Sequence, residues 1–140
     1  MNKKCLIALC SKKKAENECI ALEMYRGGPW NVIRKNNNKD MDIYVLSAKY
    51  GLLKTNTLIQ PYDLLMDDIN VEDMKEDKTW AQLNVDDYDN VMISVGGAYL
   101  KAIPDRFFNH PKVTFTSARF LKAFSEIKHF MLGTKKEEKK

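Results

Sequence analysis

Cysteine, histidine and long apolar runs are all scarce in this chain, and each scarcity removes a class of function. The three cysteines, Cys5, Cys10 and Cys19, are an odd number in a C-x4-C-x8-C spacing, which fits no zinc pattern and no disulfide framework. The two histidines, His110 and His129, lie far from them in sequence. No metal and no cofactor is therefore expected. Free thiols fit a reducing compartment. The longest apolar run is too short to cross a bilayer. The basic start Met1–Lys4 leads into an apolar stretch, Cys5–Cys10, too brief for the h-region of a signal peptide. The expectation is a cytoplasmic protein with no membrane partner. Two motif classes are missing as well. Ser47 and Ser117 have no histidine nearby and sit in no nucleophile elbow, so a Ser–His–acid triad is not expected. Gly96-Gly97 completes neither the dinucleotide fingerprint nor a P-loop.

What is present is an ordinary globular composition. Of 140 residues, 44% are apolar and 30% charged, enough for one domain with a sizeable core. No repeat and no linker divides the chain, so residues 1–134 read as a single domain and 135–140 as a charged tail. The net charge of +4 leans mildly toward anionic partners, and half of it lies in that tail, four Lys against two Glu.

Four apolar runs read as strands: Lys4–Cys10, Asp42–Ser47, Asn90–Val95 and Lys112–Thr116. Helical patterns lie over Ala15–Arg26, around Trp30–Ile33, over Asp67–Leu83 as an exposed acidic helix, over Ala98–Phe108 with a break near Pro104, and over Arg119–Leu132. Gly51–Tyr62 reads as an irregular excursion. Gly133 stands where a helix C′ cap belongs. Strands alternating with helices predict an α/β fold, a three-layer α/β/α domain with a mainly parallel sheet of about four strands.

Parallel strands end on one edge, and ligand sites of open α/β sheets gather there. The four ends are Cys10-Ser11-Lys12, Ser47-Ala48-Lys49-Tyr50-Gly51, Gly96-Gly97 and Ser117-Ala118-Arg119. They are small and polar, three carry a hydroxyl, and Lys12, Lys49 and Arg119 supply positive charge. This is the composition of a phosphate or nucleotide crevice, with amides after Gly97 and Ser117 open to an anion. The same residues are also ordinary turn formers. A second polar cluster, Gln60-Pro61-Tyr62-Asp63, follows the second strand. Tyr50 or Tyr62 is suited to stack on a base, and Asp63 is the best-placed carboxylate for acid–base work.

Four motifs carry a resemblance: CSKKK at Cys10–Lys14, ALEMYRG at Ala21–Gly27, VLSAKYGLL at Val45–Leu53 and QPYDLLM at Gln60–Met66. Together they resemble a small bacterial and phage domain of unknown function marked by a CSxxK, LYxG, ILSAKYGLL and PYDxTL series. Leu46–Met66 is also similar to the LSGLYG…PYRLEM region of the YaaA peroxide-stress family, with Lys49 where Leu is usual and Asp63 where Arg is. That resemblance implies DNA binding and protection under oxidative stress. The expected sheet is similar, by analogy of fold alone, to uracil-DNA-glycosylase-like and nucleoside-deoxyribosyltransferase-like folds.

The leading expectation is a nucleotide- or nucleic-acid-directed enzyme acting at an N-glycosidic bond, with DNA a more fitting nucleic acid than RNA. Asp63 and Lys49 are its expected catalytic residues. Cys10, Ser11, Lys12, Ser47, Tyr50, Gly51, Tyr62, Gly96, Gly97, Ser117 and Arg119 are its expected binding residues. Two alternatives stand beside it: a non-catalytic DNA-binding or nucleotide-sequestering module, and a protein-interaction domain using the region of Trp30 or Trp80.

Overall fold

The computed structural model describes residues 3–37, 40–117 and 120–133; Arg119 and the charged tail lie outside the described residues. Its centre is a sheet in the order β4-β3-β1-β6-β7, formed by β1 (Lys4–Leu9), β3 (Met41–Ser47), β4 (Gly51–Lys54), β6 (Asn90–Ser94) and β7 (Val113–Phe115). β1 is parallel to β3 and β6, and β6 to β7. The α/β fold and the four parallel strands match the sequence pattern. β1 is buried on both faces, as the continuous apolar run KCLIAL requires of a central parallel strand. Register sorts the side chains: Cys5, Ile7, Tyr44, Leu46, Val91 and Ile93 join one core, and Leu6, Ala8, Ile43, Val45 and Met92 the other.

The second core is covered by helices. A single turn, α1 (Ala21–Met24), is followed by α2 (Trp30–Asn36) and, at the end of the chain, α4 (Phe120–Leu132). Ala123, Ile127 and Met131 repeat every four residues and form the inward face of α4. Leu121 projects to solvent at 82% exposure, because it falls on the opposite side of the helix from that row. Gly133 does close the helix, with φ +73° and its amide donating to the Phe130 carbonyl.

Four expected elements differ. The Ala15–Arg26 helix is reduced to α1, because Cys19–Ile20 (β2) pairs antiparallel with Leu58–Ile59 (β5), and the Ala21 and Leu22 amides donate to Thr57 and Thr55. The Gly51–Tyr62 excursion begins with an ordered strand: β4 returns antiparallel on β3, Ser47 opposite Gly51 and Leu46 opposite Leu52. Gly51 makes this reversal at φ +75°, and a Cβ there would collide with Thr79 Oγ1 and Asp77 Oδ1. The acidic Asp67–Leu83 stretch is a series of short turns: Met66–Asp68, α3 (Val71–Met74) and a 3-10 turn over Lys78–Gln82. Asn70 accepts from the Glu72 amide and Asp77 from the Thr79 amide, so side chains restart the backbone twice where one helix was expected. Its anchors Met74, Trp80 and Leu83 are buried as expected.

The Ala98–Phe108 segment likewise forms 3-10 turns over Gly97–Ala102 and Asp105–Phe107, broken at Pro104. Ile103 is buried, whereas Leu100 is exposed. Trp30 and Trp80 are 0% and 3% exposed, so neither presents the apolar surface that an interaction domain built on them requires.

At the start of β3, Tyr88 donates to Asp42 Oδ2 at 2.6 Å, and Lys3 Nζ stands 3.2 Å from the same oxygen. Burial pushes the Asp42 carboxyl up, but Tyr88 and Lys3 outweigh it and the net shift is downward. A carboxyl depressed in the folded state adds stability above its ordinary pKa of about 3.9, and this is lost as pH falls through the folded value. Tyr88→Phe is therefore expected to lower the unfolding free energy at neutral pH, with the gap from the parent closing as Asp42 protonates in both. Urea unfolding over a pH series from neutral down through the folded-state titration of Asp42 checks this. A gap that persists at low pH removes Asp42 as its cause.

Candidate functional site

The parallel strands, taken in chain order, lie as second-first-third-fourth across the sheet. Connections therefore leave β1 toward β3 on one side and reach β6 on the other, which makes the β1/β6 boundary the topological switch point. A cleft of about 320 Å³ opens there at the carboxyl ends of the strands. Cys10, Ser11 and Lys12 line it from β1, Ser94 and Gly96 from β6, and Ser117 from beyond β7. Tyr99 and Phe124 add aromatic walls. A wider and more open hollow of about 500 Å³ lies off the strand ends, between the Lys13–Cys19 loop and Arg26.

Next to the cleft, at the β1/β3 ends, is a knot of hydroxyls. Tyr62 OH is 2.7 Å from Ser47 Oγ and 2.7 Å from Tyr25 OH. Ser47 Oγ already accepts from the amides of Lys49 and Tyr50. With both lone pairs engaged, its hydrogen goes to Tyr62, which passes its own to Tyr25. Cations flank the same ring: Lys14 Nζ lies 4.4 Å and Lys49 Nζ 5.9 Å from the Tyr62 centroid. Tyr50 meets Tyr62 edge-on at 5.5 Å. Burial drives the Tyr62 phenol far above its ordinary pKa and that of Tyr25 up to about 12. The knot is neutral and protonated at physiological pH.

Cys10 joins the two halves. It lines the cleft, and its thiol faces the Ala48 amide, Lys14 and Tyr62. Burial raises its pKa against the opposing pull of those three groups, so it rests as a thiol. Burial also lowers the Lys14 ammonium, with Cys10 and Asp63 pulling the other way. Among the described residues, no group of three or more His, Cys, Asp or Glu is placed to hold a metal ion. No described helix is long and apolar enough to cross a membrane.

Residues 5–123 match the model of a family of unknown function, DUF6884. The chain belongs to DUF6884. The match covers the whole sheet but for Lys4 and, apart from Phe124, every residue lining the cleft. No curated protein and no solved structure matches the chain.

Within this DUF6884 domain the expected site residues fall into distinct places. Cys10, Ser11, Lys12, Gly96 and Ser117 line the cleft, and Gly97 follows it at the start of the 3-10 turn. Ser47, Lys49, Tyr50 and Tyr62 form the neighbouring knot. Asp63 is exposed on the Lys14 side. Gly51 belongs to the turn into β4, against Asp77 and Thr79. Arg119 lies outside the described residues. Of the amides expected to receive an anion, those after Gly97 open a short 3-10 turn and those of Ala118 and Arg119 lie outside the described residues, while the Ser117 amide itself donates to Glu126 Oε1 at 2.8 Å.

Sequence reasoning missed Tyr25, Lys14, Ser94, Tyr99 and Glu126 as parts of this region. Tyr25 and Lys14 both stand inside the quoted motifs, which was a usable signal. Ser94 ends an apolar run in the same way that Ser47 does. Glu126 had no signal, since an acid on an amphipathic helix reads as a solvated residue.

Proposed function

We propose that this DUF6884 chain is a nucleoside- or nucleotide-directed protein acting at an N-glycosidic bond, its ligand seated in the β1/β6 cleft. The observation that carries this reading is the coincidence of the cleft with the switch point, where open α/β sheets bind such ligands. Its volume is at the lower end of small-molecule pockets, which span about 300–1,000 Å³. The base enters against Tyr99 and Phe124, and the sugar extends past Cys10 toward the knot. Asp63 and Lys49 work from that side: the carboxylate positions a water or stabilises positive charge developing on the sugar, and the ammonium holds an oxygen of the ligand. Such a reaction needs no metal.

Thermal unfolding against nucleosides, nucleotides, modified bases and short single- and double-stranded DNA tests the reading, since a ligand of the native state raises the midpoint. A small nucleoside or nucleotide is expected to give the shift, and Lys49→Ala to abolish it. Free-base release from that compound is expected to disappear in Asp63→Asn. Both residues are exposed, so the variants should stay within about 0.5 kcal/mol of the parent in stability. Ligand affinity and product formation intact in both variants would remove the site assignment.

One observation favours a second reading, a non-catalytic DNA binder. Lys12, Lys13 and Lys49 are all exposed along the strand ends, and Leu46–Met66 is the segment similar to the YaaA family. DNA binding should then weaken steeply with salt, in proportion to the phosphates contacted. A shift given only by DNA and fading with salt selects this reading.

A further inference from the structure

The hydroxyls of Ser11, Ser94 and Tyr99 and the Ser117 amide on the cleft wall already have partners inside the protein. Ser11 Oγ donates to the Lys13 carbonyl at 2.8 Å and accepts from the Gly27 amide at 3.2 Å. Thr116 donates to Ser94 Oγ at 3.0 Å, and Tyr99 donates to Asp67 Oδ1 at 2.6 Å. The Ser117 amide donates to Glu126 Oε1 at 2.8 Å. This last contact decides the chemistry. A backbone amide at the end of a parallel strand is where a phosphate oxygen finds a donor, and here a carboxylate from α4 already occupies it.

Charge around the cleft agrees. Glu126 acts at Ser117, and Asp67 acts through Tyr99. These two carboxylates stand on the Ser117 and Tyr99 side; on the opposite side Lys12 is the one cation among the described lining residues, exposed, and Lys14 acts on Cys10 from the knot. A phosphate entering the cleft meets like charge and an amide already engaged. An uncharged ring meets Phe124, Val95 and Pro29, apolar surfaces suited to the face of a heterocycle.

We propose that the cleft takes the uncharged part of its ligand, a nucleobase or nucleoside, and that Glu126 is the specificity-determining residue that turns a phosphate away from Ser117. This rests on the nucleoside reading above and narrows it. Any phosphate the ligand carries stays outside, near Lys12.

The test compares nucleosides with their 5′-monophosphates and with inorganic phosphate, by thermal unfolding and calorimetric titration of the full chain and of Glu126→Gln. Glutamine keeps an oxygen that accepts from the Ser117 amide and drops the charge. Each nucleoside that binds is expected to do so about tenfold or more tightly than its monophosphate, a difference of about 1.4 kcal/mol. Glu126→Gln should close most of that gap without moving the unliganded midpoint. A monophosphate or inorganic phosphate that binds the parent as tightly as the nucleoside overturns the inference, as does a ratio unchanged in Glu126→Gln. If that variant does not fold, the parent's ratio and its response to inorganic phosphate still decide. Binding of nucleotides alone removes this inference and leaves the nucleotide reading in place. Binding of neither class removes both.

Discussion

Trp30→Ala is expected to cost about 3–5 kcal/mol of folding stability, the range for truncating a large buried aromatic. A domain of this size has roughly 5–15 kcal/mol in total, so the variant should melt far below the parent or fail to fold. Three observations set this scale. The indole is 0% exposed in the helix-side core. It lies 5.6 Å from the Tyr25 ring, centroid to centroid. Its Nε1–H donates to the Leu9 carbonyl at 2.9 Å, at the last residue of β1. Truncation therefore opens a cavity and leaves a carbonyl without its donor just where β1 runs into the cleft. Trp30→Phe separates the two effects. It keeps much of the packing and loses the hydrogen bond, so a smaller cost, nearer 1–3 kcal/mol, is expected. Urea unfolding followed by circular dichroism measures both, with Trp80 left as a fluorescent reporter of the other core. A Trp30→Ala midpoint close to that of the parent would mean that α2 is not what closes this face of the sheet.

Trp30 also shows how much of the molecule was legible in its sequence. The four parallel strands were readable because each is a short apolar run bounded by turn residues, a local signal. Their common edge followed, and with it most of the cleft: Cys10, Ser11, Lys12, Gly96 and Ser117 were all placed by the rule that parallel strands end together. The β2/β5 pair was not readable, because its strands are distant in sequence and pairing overrides local preference; β4 was missed although its partner ends only at Ser47, because Leu52-Leu53 is too short an apolar run to mark a strand. The acidic segment misled for a different reason. Its apolar anchors have helical spacing, but Asn70 and Asp77 capture backbone amides and break the helix into turns. The contact of Glu126 with the Ser117 amide is a tertiary one, and no periodicity reports it. Nor does any pattern disclose that Tyr25 and Tyr62 meet through their hydroxyls across 37 residues.

That meeting predicts the second large effect. Tyr62→Phe is expected to destabilise the fold by about 1–3 kcal/mol, although it removes one oxygen and leaves the ring edge-on to Tyr50 and beneath the Lys14 ammonium. The Tyr62 hydroxyl accepts from Ser47 and donates to Tyr25, and both of those residues are 0% exposed. Without it, a buried hydrogen at Ser47 loses its acceptor and a buried oxygen at Tyr25 loses its donor, and no water replaces them at no cost. Tyr25→Phe should cost less, because it removes the end of the chain and strands a single hydrogen. The double variant should cost less than the sum of the two, since the second change removes a group the first has already orphaned. Strict additivity would show that the hydroxyls do not act as a chain. A chemical readout separates this from simple loosening. When Cys10 ionises, the Tyr62 hydrogen can turn from Tyr25 to the thiolate and oppose the upward push of burial, so in Tyr62→Phe that thiol should ionise less and alkylate more slowly at mildly alkaline pH, when followed residue by residue by mass spectrometry. A merely loosened structure would expose Cys10 and speed the reaction. The sign of the rate change therefore tells whether Tyr62 governs the group that links the knot to the cleft.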